Sequence, residues 1–318
     1  MIWVIGDIHG MFDPLKRLIS ILHSRHKNDE RWRIDKLIFM GDYIDFGPSS
    51  KEVIDYIMDL PFETVCLMGN HEDLFLQFFN HDDLIQEFGN VWFRGNGGQR
   101  TIQSFFPEIS YHDREDDVTI SDIPSFQDKY INFFKNLKVT HIEQIGNHKI
   151  AFVHALLNNE YPIDEQLSIK TYDDFHKWRR ENSIWIEDTI LWNRAEPVDR
   201  FDDYILIHGH IPTSKINHGW RDIHGYDISL QLPFLKFKSD DKNKVFFDYQ
   251  SYRKTYNASI DKLIAINVDT GSVYGHRLSA IGISEELLEE SEIPICQILT
   301  TKGYRLSDNI NIDEIYFY

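Results

Sequence analysis

Five short segments of this chain carry side chains able to bind metal ions, and each lies directly behind an apolar run. They are Gly6-Asp7-Ile8-His9-Gly10, Gly41-Asp42-Tyr43-Ile44-Asp45-Phe46-Gly47, Gly69-Asn70-His71-Glu72, His154 after Ile150-Ala151-Phe152-Val153, and His210 after Tyr204-Ile205-Leu206-Ile207. Carboxylate, amide and imidazole donors gathered from several strand ends suit Mn, Fe or Zn. Two such cations can clamp phosphoryl oxygens and bring a bound water to a pKa near ~7, which supplies hydroxide for in-line attack. Phosphate ester hydrolysis asks a protein chiefly for positioning and charge neutralisation, so the donor set points to a two-metal phosphoesterase. One carboxylate has to bridge, and Asp42 is the choice. The first cation would take Asp7, His9 and Asp42; the second would take Asp42, Asn70, His154 and His210. The departing alkoxide needs a proton. His71, beside Asn70, is placed to give it, with Asp45 to fix its tautomer. Glu72 reads as a charge at a helix N-terminus, not a ligand, and His208 as facing away from His210 across a strand.

Donors so arranged require buried parallel strands with their carboxyl ends facing one way. Residues 14–23 repeat apolar side chains at three and four and predict an amphipathic helix, as do residues 50–60. Strand, helix, strand, helix, strand up to Met68 makes a βαβαβ unit, and parallel strands follow. Further helices are predicted over 73–88, 130–137 and 172–180, with a strand over 149–153. Residues 107–124 read as a loop. The runs 263–268 and 273–281 flank Asp269-Thr270-Gly271-Ser272 and read as a hairpin. The expectation is one catalytic domain over 1–281, interrupted by an insertion at about 215–259, then a C-terminal extension over 282–318.

The 318 residues are 42% hydrophobic and 14% aromatic, ample for a substantial core. The net charge of −18 disfavours a nucleic-acid backbone or an anionic membrane as partner. A phosphate must therefore be drawn in locally, by metals and an arginine or two. Cys66 and Cys296 read as unpaired thiols of a reducing compartment. No apolar run reaches the ~18–20 residues of a membrane span, and a first strand beginning at Ile2 leaves no room for a signal peptide ahead of it. A soluble, cytoplasmic protein is expected.

The order Gly-Asp-x-His-Gly, Gly-Asp-x-x-Asp-x-Gly, Gly-Asn-His-Glu, His and Gly-His-x-Pro resembles the calcineurin-like metallophosphoesterases, and within them the phosphoprotein phosphatase branch. Trp92 with Asn96-Gly97-Gly98, Leu191-Trp192-Asn193-Arg194, and Asn267-Val268-Asp269-Thr270-Gly271 are similar to bacterial and bacteriophage-lambda-type protein phosphatases. The resemblance implies a four-layer αββα sandwich with mixed sheets and two divalent ions, Mn in vitro with Fe or Zn as alternatives. It implies hydrolysis by a metal-bridging hydroxide without a phospho-enzyme, and Arg194 gripping substrate phosphate through its two-pronged guanidinium. The implied substrates are phosphorylated Ser, Thr or Tyr in proteins, or small phosphomonoesters. Two other readings stay open. One is a dinucleoside polyphosphate hydrolase, a group that typically shows Gly-Asn-His-Asp where this chain has Glu72; the other is a regulatory binding protein that has lost turnover. The chain departs from the branch at Phe46 and Met68, where arginine is usual, which removes charge-assisted bonds worth ~1.5–3 kcal/mol each. Arg94, Asn96 and Arg100 are candidates to make up the phosphate contacts. Phe46 instead offers a flat apolar wall, suited to an aromatic leaving group such as a nucleobase or phosphotyrosine.

Overall fold

The apolar runs ahead of the motifs become strands, and the segments between them become crossovers that make those strands parallel. The computed structural model describes residues 1–79, 91–109, 124–194, 201, 203–213, 234–237, 245–248, 253–256, 263–289 and 292–300. Strand β1 (Ile2–Ile5), helix α1 (Phe12–Asn28), β2 (Lys36–Phe39), α2 (Ser50–Met58) and β3 (Glu63–Cys66) form the expected βαβαβ unit, with β1, β2 and β3 mutually parallel. After it come α3 (Asn70–Phe79), α4 (Gly98–Phe105) and α5 (Asp128–Lys135). A second set follows: β4 (Thr140–Ile145), β5 (His148–Val153), α6 (Ile163–Ser168), α7 (Tyr172–Glu181) and β6 (Tyr204–His208). The chain then adds β7 (Phe234–Phe237), β8 (Val245–Asp248), β9 (Arg253–Tyr256), β10 (Leu263–Asn267), β11 (Arg277–Ile283), α8 (Glu285–Glu289) and β12 (Glu292–Leu299).

These strands build a seven-stranded sheet in the order β3-β2-β1-β11-β12-β9-β8 and a five-stranded sheet in the order β4-β5-β6-β10-β7, both mixed. The side chains of β1 and β2 alternate between two cores. Trp3, Ile5, Leu37 and Phe39 pack with Leu15, Leu18, Val53 and Ile54 of the helices. Val4, Ile38, Met40 and Val65 meet Ile150, Phe152, Ile205, Ile207 and Ile266 of the other sheet. The second core is the seam between the sheets and the first lies under the helices, so the layers run α, β, β, α. Each such side chain contributes ~1.5–3 kcal/mol when fully buried. That is why strands apolar on both faces stay in the middle of the molecule.

The expected hairpin does not form. β10 runs parallel to β6 in one sheet, whereas β11 pairs antiparallel with β1 in the other. The turn between them is tied to neighbours distant in sequence. Ser272 Oγ donates to the carbonyls of Asp7 (2.7 Å) and Ile8 (3.2 Å), and the Thr213 N–H donates to the Asp269 carbonyl at 2.9 Å. These bonds turn it into a crossover between sheets. Residues 292–299, in the segment expected as an extension, add β12 alongside β11. Residues 301–318, most of 215–259 and much of 107–124 lie outside the described residues. Among the described residues no helix is long and apolar enough to cross a membrane.

Candidate active site

The loops at the carboxyl ends of β1, β2, β3, β5 and β6 converge, and they bring Asp7, His9, Asp42, Asn70, His154 and His210 together with none more than 8% exposed. Close approach makes glycine necessary at two of the turns. A Cβ on Gly69 would collide with Asp42 Oδ1, and one on Gly209 with Asp7 Oδ1. Backbone strain is concentrated in the same loops. His9 (φ 50°), Asp42 (52°), Asp45 (72°), Phe46 (58°) and His210 (66°) all adopt the left-handed conformation, which costs a non-glycine residue about 1–3 kcal/mol and collects at functional sites.

The imidazoles are oriented from behind. His9 Nδ1 lies 2.9 Å from the Ile44 carbonyl and His154 Nδ1 lies 2.8 Å from that of Met40. A carbonyl requires the proton on Nδ1, so each ring turns a bare Nε2 inward. The inward nitrogens sit 3.4 Å from Asp42, His9 against Oδ2 and His154 against Oδ1. His154 Nε2 and His210 Nδ1 both lie 3.0 Å from Asn70 Oδ1. His210 Nε2 is 3.1 Å from the Trp192 carbonyl and 3.2 Å from Arg194 Nε. The tautomer that serves the carbonyl leaves Nδ1 to present a lone pair. The other tautomer accepts from Arg194.

The donor set fits divalent metal. Two trios, His9-Asp42-His71 and Asp42-His154-His210, each have ligand atoms within 4.8 Å of one another, and Asp42 belongs to both. The expected first set had Asp7 in the place His71 takes here. Asp7 stands outside both trios, but its own geometry suits a cation. Its Oδ2 accepts the His210 N–H at 2.9 Å, whereas Oδ1 is buried without a hydrogen-bond partner among the described residues. Burial, then the nearby charges of Asp269 and Asp42, hold Asp7 well above the usual carboxylate range. Burial alone would lower His154, yet Asp42 and Asp7 outweigh it and push it up to about 10. The carboxylates around His154 therefore favour positive charge at this point of the pocket. His9, with burial dominant, is lowered to about 4 and stays neutral, as a ligand must.

One member of the first trio, His71, also belongs to a hydrogen-bonded group of a different kind. His71 Nδ1 is 2.6 Å from Asp45 Oδ2, which also accepts from Trp92 Nε1 at 2.7 Å. Asp45 Oδ1 accepts from the Thr101 hydroxyl at 2.5 Å, and that hydroxyl in turn accepts the Asp45 N–H at 2.9 Å. Burial lowers His71, but Asp42 and Asp45 overcome it and hold the ring above its ordinary value. Trp92 and Thr101 were not legible as supports of Asp45. They come from a π-helical turn (Val91–Gly95) and from α4, and no local spacing links them to residue 45.

Glu72 stands in the first turn of α3, as expected, and in neither donor trio, but it does more than place a charge there. It is fully buried and accepts four backbone N–H groups: Asp42 (2.8 Å) and Gly69 (3.0 Å) on Oε2, Tyr43 (2.8 Å) and Ile44 (3.3 Å) on Oε1. It thereby ties the second motif to the third. Burial and Asp42 push it up to about 7. His208 is also buried, its Nδ1 3.1 Å from the Gly209 carbonyl.

A cleft of about 140 Å³ opens over the site, lined among others by His9, Asp42, Asn70, His71 and His210. Arg194 and Asn96 line it as expected of phosphate contacts. Arg100 is not among the lining residues, and the side chain of Arg94 lies outside the described residues. Met68 is buried in the core and is not among the lining residues. Phe46 does line the cleft.

A family profile, Calcineurin-like phosphoesterase, matches residues 1–279. The chain is 29% identical over 245 residues to serine/threonine-protein phosphatase 2 of Escherichia coli (strain K12), a match covering 74% of this chain and 93% of that protein. It is 25% identical over 282 residues to a symmetrical bis(5'-nucleosyl)-tetraphosphatase of Wigglesworthia glossinidia brevipalpis, covering 78% and 98% respectively. A match at 34% identity to the symmetrical bis(5'-nucleosyl)-tetraphosphatase of Legionella pneumophila (strain Lens) covers 27% of this chain and 31% of that protein; the chain spans under a third of that relative.

Proposed function

The chain belongs to the calcineurin-like phosphoesterase family, and on that premise we propose that it is a two-metal phosphatase hydrolysing phosphomonoesters of proteins or small molecules. The observation that carries the reading is the side-by-side arrangement of two donor trios sharing Asp42 with a His71–Asp45 pair at the same cleft. Asp7, His9 and Asp42 would hold one ion and Asp42, Asn70, His154 and His210 the other, Mn in vitro with Fe or Zn as alternatives. When bound, the ions supply Lewis acidity and a water of lowered pKa.

The remaining work falls to the protein. Arg194 meets two phosphoryl oxygens at once and orients the ester. Asn96 adds a polar contact at the cleft wall. His71, its Nδ1 held by Asp45, turns Nε2 to the leaving oxygen and gives up the proton there. Asp45, buried and hydrogen-bonded on both oxygens, stabilises the protonated ring until transfer.

A second reading, hydrolysis of dinucleoside polyphosphates, is favoured by the two relatives named as symmetrical tetraphosphatases. Product analysis with Mn-loaded protein separates them. Inorganic phosphate from a phosphopeptide with diadenosine tetraphosphate untouched supports the first reading. Adenosine diphosphate from the dinucleotide, with the peptide intact, replaces it with the second.

A further inference from the structure

Phe46 is held at the cleft by a backbone that a bulky residue seldom adopts. Its φ is 58°, and the Gly47 N–H donates back to the Asp45 carbonyl at 2.6 Å, so Phe46 is the centre of a three-residue turn. A positive φ there is the strained hand of that turn. The loop behind it is shaped to the ring, since a Cβ on Gly97 would sit 2.5 Å from Phe46 N and 2.9 Å from its Cδ1. The half-buried phenyl packs edge-on against two imidazoles, His9 at 5.3 Å and His71 at 5.1 Å between centroids. Pro212, Val273 and Tyr274, from the loops after β6 and β10, bring further apolar surface to the same cleft.

The contact with His71 gives the ring its meaning. His71 is the group placed to protonate the leaving oxygen, so whatever is bonded to that oxygen lies against Phe46. We propose that Phe46 is a specificity-determining residue that seats a planar aromatic leaving group, making aryl phosphate monoesters of the phosphotyrosine type the preferred substrates. This rests on the phosphomonoesterase reading above. In the step, water oxygen bonds to phosphorus, the P–O(aryl) bond breaks, and the aryl oxide takes a proton to leave as a phenol with inorganic phosphate. A nucleobase does not satisfy the same geometry, because ribose and further phosphate separate it from the scissile bond. An alkyl ester such as phosphoserine places only a methylene against the ring.

Aryl esters are intrinsically more reactive, so the test compares ratios across variants and adds a binding readout. The Mn-loaded protein is assayed on a phosphotyrosine peptide and a phosphoserine peptide of otherwise identical sequence. Binding of phenylphosphonate and propylphosphonate, neither hydrolysable, is measured by calorimetry. The aryl-to-alkyl ratio of kcat/KM and the ratio of the two affinities should each fall roughly three- to tenfold in Phe46→Gly, as expected for loss of one aromatic contact. That variant suits the positive φ and so should fold. Phe46→Tyr, which keeps the ring, should hold both ratios. Turnover of either peptide with ratios unmoved in Phe46→Gly overturns the specificity role and leaves the phosphatase reading standing. Hydrolysis of diadenosine tetraphosphate alone, with no preference between the phosphonates, overturns both.

Discussion

Around Asp45 the protein satisfies its own polar groups, for both carboxylate oxygens have donors in Thr101, Trp92 and His71. A short distance away the pattern reverses. Asp7 Oδ1 is buried with no partner among the described residues. Both regions are buried to a similar depth, so solvent does not explain the contrast. An unmade hydrogen bond in such a place costs about 1–3 kcal/mol. The satisfied half orients a proton, and the unsatisfied half is built to be completed by a cation.

The strongest way to break the comparison is to remove the cation or its shared ligand. Chelation, or Asp42→Asn, should reduce turnover by at least about a thousandfold. The bound metal measured by elemental analysis should fall with it, and the melting temperature of the chelated protein should rise when Mn is added back. Full turnover with metal stripped would end the two-metal reading. Next in size, His71→Asn should lower kcat by ~10²–10⁴ with metal content unchanged. The loss should be smaller on aryl than on alkyl esters, because a phenol of pKa ≈ 10 needs less help to leave. If metal departs with the ring, His71 serves the trio and not the leaving group. Third comes Glu72→Gln, which puts an amide N–H where backbone donors now find an oxygen. Metal affinity should weaken about 10- to 100-fold, as for groups that orient ligands from behind. Unchanged affinity would mean that the two loops hold their places without it.

The sequence made the cation half more legible than the half that surrounds Asp45. Asp7, His9, Asp42, Asn70, His154 and His210 follow five strands within a few residues, and the carboxyl ends of those strands, three in one sheet and two in the other, face one site. The His71–Asp45 pair was legible for the same reason. Thr101 was not, because it reaches Asp45 across 56 residues from a helix whose spacing says only that one face is buried. Glu72 read correctly as a charge at the start of a helix, but its tie to the second motif was not legible, because its four partners come mostly from a loop about 30 residues away. The hairpin over 263–281 failed similarly. Two largely apolar runs around an Asp-Thr-Gly-Ser turn fit the local pattern of a hairpin, but Ser272 binds the turn to Asp7 and Ile8, and the two strands pair in different sheets.

The smallest expected effect tests whether the satisfied half needs all its bonds. Thr101 grips Asp45 twice, giving a proton to Oδ1 and taking one from the backbone N–H, at a residue whose φ of 72° the chain would not adopt unaided. Thr101→Val keeps the shape and removes both bonds, leaving the Asp45 N–H a longer bond to Ser50 Oγ at 3.3 Å. Stability should fall by about 1–3 kcal/mol, the cost of buried groups left unpaired, read as a lower urea midpoint at unchanged slope. Turnover should drop only about 3- to 10-fold, an allowance of about 1 kcal/mol at the barrier for a slightly misaligned His71, while metal content stays level. Trp92→Phe should act in the same direction through the other oxygen. If Thr101→Val loses stability but turnover does not move, then Asp45 is held by Trp92 and His71 alone, and Thr101 belongs to the fold and not to the acid.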